Sequence, residues 1–172
     1  MTIAEAILME IEQEAIATRK CLERIPADRL DWKPAEKSMS AGELGMHIAT
    51  SPSGILWMMM QDETGFPDPP AEKPAITHAG IMQAFEDSLA RQRETFPGLT
   101  DEFMTAEWKF LKDGKVLMAL PRVAFARMVL LSHIYHHRGQ LSVYLRQLDV
   151  PVPSIYGPSA DELPPFMQEA AG

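Results

Sequence analysis

Two histidines four residues apart, His133 and His137, are the residues of this sequence whose type and spacing best suit chemistry. They lie in the stretch SHIYHHRGQ, residues 132–140, inside a long apolar segment with helical periodicity. On an α-helix, residues four apart project from one face, about 40° apart in rotation. Two imidazoles placed in this way can bind one metal ion, as paired histidines do in other helical metal sites. The same spacing also occurs for half-buried or surface histidines that bind no metal.

A third histidine, His47, lies in another stretch with a helical pattern. Together with His133 and His137 it would form a three-histidine site with open coordination positions, which is typical of a catalytic metal rather than a structural one. The position of His47 in the sequence does not by itself predict that it lies close to His133 and His137. His136 points about 60° away from His133 and about 100° away from His137, so we expect it not to be a ligand. We expect His78, near the start of another segment, to be solvated.

Length, composition and charge restrict the classes of function. A chain of 172 residues predicts one domain over residues 1–172, with a proline-rich tail at 151–172. Hydrophobic residues make up 46% and charged residues 23%, as in ordinary globular proteins. The net charge of −8 and the lack of a basic stripe argue against nucleic acids and anionic membranes as partners. We therefore expect a small-molecule substrate.

The lack of an expected secretory signal or membrane span, together with the single cysteine, predicts a cytoplasmic protein. The N-terminus has no basic region followed by an apolar run, so no secretory signal is expected. The longest apolar run, residues 55–60, is too short to span a bilayer. The single cysteine, Cys21, cannot form an internal disulfide, which suits a reducing compartment. We interpret Cys21 as a structural thiol rather than a nucleophile, because it lies within a helical stretch.

Apolar periodicity predicts four helices, at residues 2–24, 40–60, 77–96 and 121–148. Capping boxes predict where the first two begin: Thr2 with Glu5, and Ser40 with Glu43. The sequence SPSG at residues 51–54 predicts a kink or a break in the second helix. Residues 64–75, which are rich in proline and glycine, are predicted to form a loop.

The segment between the third and fourth helices has a different pattern. Residues 103–110 and 116–120 predict two extended runs around an Asp113–Gly114 turn, which would form a small β-hairpin. The proline-rich tail cannot form one regular helix, and its residues 155–162 are predicted to pack back onto the body. The predicted fold is all-α: an antiparallel four-helix bundle with this hairpin before the last long helix. In a bundle of this kind, the second and fourth helices can supply ligands to one metal site.

Nearly the whole chain resembles the DinB/YfiT-like family of metalloenzymes. The resemblance rests on four stretches: residues 29–34 (RLDWKP), 40–49, 133–141 (HIYHHRGQL) and 152–159 (VPSIYGPS). It implies a four-helix bundle that holds one divalent metal through His47, His133 and His137. It also implies a homodimer.

The resemblance directs the functional hypotheses toward metal chemistry. Characterised relatives transfer or isomerise with low-molecular-weight thiols, so the first expectation is a metal-dependent S-transferase with such a thiol as co-substrate. Three neutral imidazoles suit Zn, Ni or Fe, and a metal held by them can bind a thiolate or lower the pKa of a water ligand. A hydrolase of small esters or amides and a non-enzymatic metal-binding stress protein are the alternatives. A bundle with ordinary polar histidines is the remaining interpretation.

Three further residues are candidates for a catalytic role. Glu43 lies one turn before His47 and could act as a general base, although we favour its capping role. Arg138 could bind a substrate carboxylate, although an ion pair or a contact to the tail is the favoured interpretation. Tyr156 carries a hydroxyl that could reach a pocket, although we favour a packing role for its ring.

Overall fold

The structure is a computed structural model that describes residues 1–65 and 75–168. Most of these residues are helical, which confirms the predicted helical class. In chain order the elements are α1 (Ile3–Glu23), α2 (Ala41–Met59), β1 (Glu63–Thr64), α3 (His78–Thr95), a 3₁₀ turn (Phe96–Gly98), α4 (Asp101–Thr105), β2 (Glu107–Lys112), β3 (Lys115–Pro121), α5 (Arg122–Phe125), a π-helical segment (Ala126–Leu131), α6 (Ser132–Gln147) and α7 (Pro165–Gln168). The run from α5 to α6 is continuous, and we call it the last long helix.

The first two helices begin at the predicted capping boxes. The Thr2 hydroxyl accepts from the Glu5 amide at 3.1 Å, and the Glu5 carboxylate accepts from the Thr2 amide at 2.7 Å. Ser40 and Glu43 repeat this exchange at 3.1 and 2.8 Å. Thr77, where the third helix was predicted to begin, caps α3 through its side chain. These caps satisfy backbone donors that have no partner inside the helix.

The four long helical segments of the described chain pack around one apolar core. α1 and α2 each pack against α3 and against the last long helix. The buried face of α1 consists of Ala4, Ile7, Ile11, Ala15, Thr18, Cys21 and Leu22. His47 contacts His133, whereas Met59, near the other end of α2, contacts Arg122 at the start of the last long helix. These two helices therefore run in opposite directions, while an antiparallel arrangement of the whole bundle stays a prediction.

Of the kink or break predicted in α2, the break is wrong and the kink stays a prediction. The helix continues from Ala41 to Met59 with Pro52 buried inside it. Ile48 and Ile55, on either side of the proline, are both buried in the same core, so packing holds the two halves together. Proline has no N–H, and Pro52 therefore cannot donate to the Ile48 carbonyl as a regular helical residue would.

The predicted hairpin forms and is part of a larger sheet. β2 and β3 pair antiparallel around Asp113 and Gly114, whose φ angles of 51° and 72° are left-handed, as this type of turn requires. β1 adds a parallel strand to β2, and this strand was not predicted from the sequence. The extended conformation predicted for residues 103–106 is largely wrong. Residues up to Thr105 belong to α4, because the Thr100 hydroxyl caps a short helix there by accepting from the Phe103 amide.

Two side chains attach the sheet to the bundle. The indole N–H of Trp108, which is fully buried, donates to the Met58 carbonyl at 2.9 Å, and its ring lies 3.9 Å from that of Phe125. The Arg122 guanidinium, also buried, donates to the carbonyl of Met59 at the end of α2. Helix ends leave carbonyls without intrahelical partners, so this arginine completes the C-terminus of α2.

The π-helical segment in the last long helix was not predicted. A π-helix bonds residues five apart and inserts one extra residue relative to the α-helical repeat. The Ser132 hydroxyl donates to the Arg127 carbonyl, five residues earlier, at 3.0 Å. The segment ends directly before the turn that carries His133, so it sets the direction in which α6 presents its side chains.

The tail packs back onto the body, as predicted. Glu162 forms ion pairs with Lys20 of α1 at 3.1 Å and with Arg24, which directly follows α1, at 2.5 Å. Most of the predicted loop at residues 64–75 lies outside the described residues. Among the described helices, none has the length and hydropathy needed to cross a membrane. The cytoplasmic location stays a prediction.

Candidate metal centre

Three histidine side chains converge between α2 and α6. The Nε2 atom of His47 lies 2.8 Å from Nε2 of His133 and 3.1 Å from Nε2 of His137. The ligand atoms of all three residues lie within 4.8 Å of one another. The α-helical turn between His133 and His137 places both rings on the face of α6 that meets α2. The structure thus brings together the three residues expected to be ligands.

The three imidazoles are half-buried, and their surroundings favour the neutral form. Loss of solvent, together with the neighbouring His137 and His47, lowers the pKa of His133 to about 4. Loss of solvent also lowers the pKa of His47 and of His137. All three rings are therefore neutral at pH 7, and a neutral imidazole is the form that binds a metal.

Gln140 holds the ring of His137. The His137 Nδ1 atom lies 2.7 Å from the Gln140 amide oxygen, which can only accept a hydrogen bond. Nδ1 of the neutral ring must then carry the proton, and Nε2 presents its lone pair toward His47. Metal-binding histidines commonly donate their other ring nitrogen to an oxygen in this way, which fixes both the tautomer and the ring orientation.

The donor set fits a divalent metal. In a tetrahedral site with metal–nitrogen bonds of about 2.0–2.1 Å, two ligand nitrogens lie about 3.3 Å apart. The observed 2.8 and 3.1 Å are only a few tenths of an ångström shorter. A single proton on His47 could reach both neighbours only through bent, weak hydrogen bonds, whereas a central cation would satisfy all three lone pairs. The group contains no carboxylate among the described residues, so a metal held there would keep its full charge.

Comparison with known proteins assigns the family. The sequence pattern of the DinB family matches residues 1–169. This chain belongs to the DinB family. It is 28% identical over 159 residues to the uncharacterized protein YrdA of Bacillus subtilis, a match that covers 92% of this chain and 91% of YrdA.

Solved structures of DinB-like proteins share the fold of this DinB protein. A DinB-like protein from Bacillus cereus superposes with a TM-score of 0.67 at 23% identity, over 88% of this chain and 97% of the other. YfiT from Bacillus subtilis superposes with a TM-score of 0.64 at 11% identity, over 86% and 88% of the two chains. YfiT is described as a probable metal-dependent hydrolase with an unusual four-helix bundle topology. At these identities the likeness concerns the fold.

The candidate base Glu43 does not belong to the group of converging ligand atoms in this DinB protein. One of its carboxylate oxygens accepts from the Ser40 amide and lies 3.5 Å from the Lys33 ammonium. Glu43 therefore caps the start of α2, which is the role favoured from the sequence.

Arg138 and Tyr156 join a network on the other side of α6. Arg138 is 1% exposed and forms an ion pair with Glu14 of α1 at 2.5 Å. Its guanidinium also donates to the hydroxyls of Thr18 and Tyr156. The Tyr156 hydroxyl in turn donates to Glu14 at 2.8 Å. Arg138 is thus both an ion-pair partner and an anchor for the tail, as favoured from the sequence.

The ring of Tyr156 differs from the prediction. It is 73% exposed, so its role is not that of a packed core ring, and its hydroxyl is engaged in the Arg138 network rather than at the histidines. His136 is exposed and outside the ligand group, as predicted. His78 is not simply solvated: it is half-buried, and its Nε2 lies 3.2 Å from the Leu22 carbonyl.

Sequence reasoning missed the role of Gln140. The residue stood within the HHRGQ stretch, but nothing was assigned to it. Its position three residues after His137 was the available signal, because residues three apart are neighbours on a helix surface.

Proposed function

We propose that this DinB protein is a metal-dependent hydrolase of small esters or amides, with the metal held by His47, His133 and His137. The observation that carries the proposal is the convergence of the three Nε2 atoms from two helices. The fold shared with YfiT supports the hydrolytic class. A divalent metal in this position would lower the pKa of a water ligand and polarise a substrate carbonyl.

The protein's own residues prepare the site for a substrate. The three rings are neutral at pH 7, so no proton has to leave them before they bind a cation. Gln140 holds the ring of His137 in the required tautomer. The half-burial of all three imidazoles leaves part of the site open to solvent, which a substrate of small size needs. This favours a small-molecule substrate.

Thiol-dependent S-transfer, the first expectation from the sequence, receives no support from the contacts of the described residues. The predicted homodimer likewise stays a prediction. Thiol dependence is therefore included as an outcome of the test rather than as a second proposal.

The test combines metal analysis with a substrate panel. Protein produced without a polyhistidine tag should contain about one divalent metal per chain. His137→Ala should lose the metal, and the matched control His136→Ala, which changes an exposed neighbouring histidine, should keep it. The metal-loaded protein should then hydrolyse some members of a panel of small esters and amides in water alone.

Two results would contradict the proposal. Equal metal content in His137→Ala and in the wild type would refute the assignment of the ligands. Turnover that appears only when a low-molecular-weight thiol is added would replace hydrolysis with S-transfer.

A further inference from the structure

A small internal cavity lies at the centre of the bundle, bounded by all four long helical segments. Its wall includes Thr18 of α1, Ile48 and Pro52 of α2, and Ser88 and Gln92 of α3. Its volume is about 20 Å³ on the scale on which one water molecule needs about 10–15 Å³. The cavity can therefore hold about one water molecule. The histidine ligands are not among the residues that line it.

Gln92 presents a buried acceptor to this cavity. The side chain is 2% exposed, and its amide nitrogen donates to the Ser88 carbonyl at 3.1 Å. The amide oxygen is buried and has no hydrogen-bond partner in the part of the chain that the structure describes. A buried amide oxygen without a partner is costly, and such atoms in proteins are generally satisfied by protein groups or by ordered water.

Pro52 creates a second acceptor at the same cavity. Because proline has no N–H, the Ile48 carbonyl cannot accept the helical hydrogen bond from position 52. Ile48 and Pro52 both line the cavity, so the gap in the hydrogen-bond ladder of α2 adjoins it. Water that inserts into an interrupted helical ladder is a known way to satisfy such a carbonyl.

Ser88 supplies a donor. It is 3% exposed, and its hydroxyl oxygen accepts from the Ser53 hydroxyl at 3.0 Å. The Ser88 hydroxyl keeps its own hydrogen, which can point into the cavity. The Thr18 hydroxyl, in contrast, already donates to the Glu14 carbonyl and accepts from Arg138.

We propose that this cavity is a binding site for one structural water molecule that bridges α2 and α3. The water donates to the Gln92 amide oxygen and to the Ile48 carbonyl, and it accepts from the Ser88 hydroxyl. Three hydrogen bonds are the usual number for a buried water. The water thereby supports the turn of α2 that follows His47. The inference is independent of the proposed hydrolase activity, because it requires neither a metal nor a substrate.

The test is nuclear Overhauser spectroscopy of water on the isotope-labelled full chain. The wild type should show a cross-peak between a long-lived water and the side-chain amide protons of Gln92. Gln92→Leu removes the acceptor and should abolish the same water's cross-peaks to Ile48. Ser53→Ala is the matched control, because it changes a neighbouring hydroxyl but none of the three groups that hold the water, and it should keep them.

A second variant tests the role of the proline. Pro52→Ala restores an N–H that can donate to the Ile48 carbonyl, so the water loses one acceptor and should exchange with bulk solvent faster. A high-resolution crystal structure of the wild type should show the water within hydrogen-bond distance of all three groups. Absence of a long-lived water from the wild type, or its persistence in Gln92→Leu, would overturn the proposal.

Discussion

The ring of His137 and the side-chain amide of Gln140 lie on the same turn of α6, with Nδ1 2.7 Å from the amide oxygen. This contact does two things at once. It places the proton of the neutral ring on the nitrogen away from His47, and it limits rotation of the ring about its own axis. One residue outside the ligand set therefore determines whether the third nitrogen faces the other two.

We expect Gln140→Ala to weaken metal binding about 10–100-fold, because the ring of His137 loses the acceptor that orients it. Gln140→Glu keeps an acceptor at the same position and should bind metal at least as well as the wild type. Competition against a chromogenic chelator would measure both affinities. An unchanged affinity in Gln140→Ala would show that the contact does not orient the ligand.

The ion pair between Arg138 and Glu14 should be essential for stability. Glu14→Leu leaves the guanidinium of Arg138, which is 1% exposed, without its carboxylate, and should lower the free energy of unfolding by about 3–5 kcal/mol. The double variant Glu14→Leu/Arg138→Met removes both charges and should recover part of that loss. Urea denaturation of the metal-free proteins would measure these differences.

A surface ion pair provides the control for this prediction. Arg146 lies on the exposed side of α6 and forms an ion pair with Asp161 of the tail. Arg146→Met breaks this contact and should leave the free energy of unfolding nearly unchanged. If the double variant were as unstable as Glu14→Leu alone, the uncompensated charge would not be the cause of the loss.

Cys21 should be unreactive in the folded protein. Its side chain is fully buried, and the loss of solvent raises the pKa of its thiol to about 11. The thiol is therefore protonated at pH 8, and only the thiolate reacts quickly with disulfide reagents. Ellman's reagent should react slowly with the native protein at pH 8 and rapidly in denaturant. Rapid reaction of the native protein would mean that the N-terminal helix opens readily.

Docking of the tail should weaken in acid. The Arg24 guanidinium, followed by Lys20, lowers the pKa of Glu162 below its ordinary value of 4.5. A lowered folded-state pKa means that these contacts stabilise the docked tail above pH 4.5, and that the stabilisation is lost as the pH falls through the folded-state pKa. Hydrogen exchange at the Glu162 amide, which donates to Ser159, would report the change. Glu162→Gln should lack this acid transition, and a transition of the same size in that variant would assign it to other groups.

Local sequence rules predicted the long helices and the hairpin, but not β1, α4 or the π-helical segment. Thr2, Ser40 and Thr77 marked helix starts because capping depends on side chains close in sequence. The Asp113–Gly114 turn was predictable for the same reason. The continuity of α2 through Pro52 depends on burial among other helices, and a local rule does not contain that information.

At the candidate site too, local sequence predicted some features, while others depend on how the helices pack. Spacing paired His133 with His137, but it could not place His47 close to them, because that distance depends on how two helices pack. The family resemblance supplied the third ligand, and the structure brings it to 2.8 Å from His133. The ion-pair partner of Arg138, Glu14, lies 124 residues away along the chain. The sequence could therefore predict that Arg138 forms an ion pair, but not which residue is its partner.

The π-helical segment also bears on how the gene can change. One extra residue accommodated in Ala126–Leu131 offsets the downstream helix by about 100°, which is the rotation of one α-helical residue. A one-codon deletion in this stretch would remove that extra residue, so a regular α-helix would form and still present His133 and His137 toward His47. The same deletion in the regular turn between His133 and His137 would instead shift His137 by about 100° around the helix relative to His133.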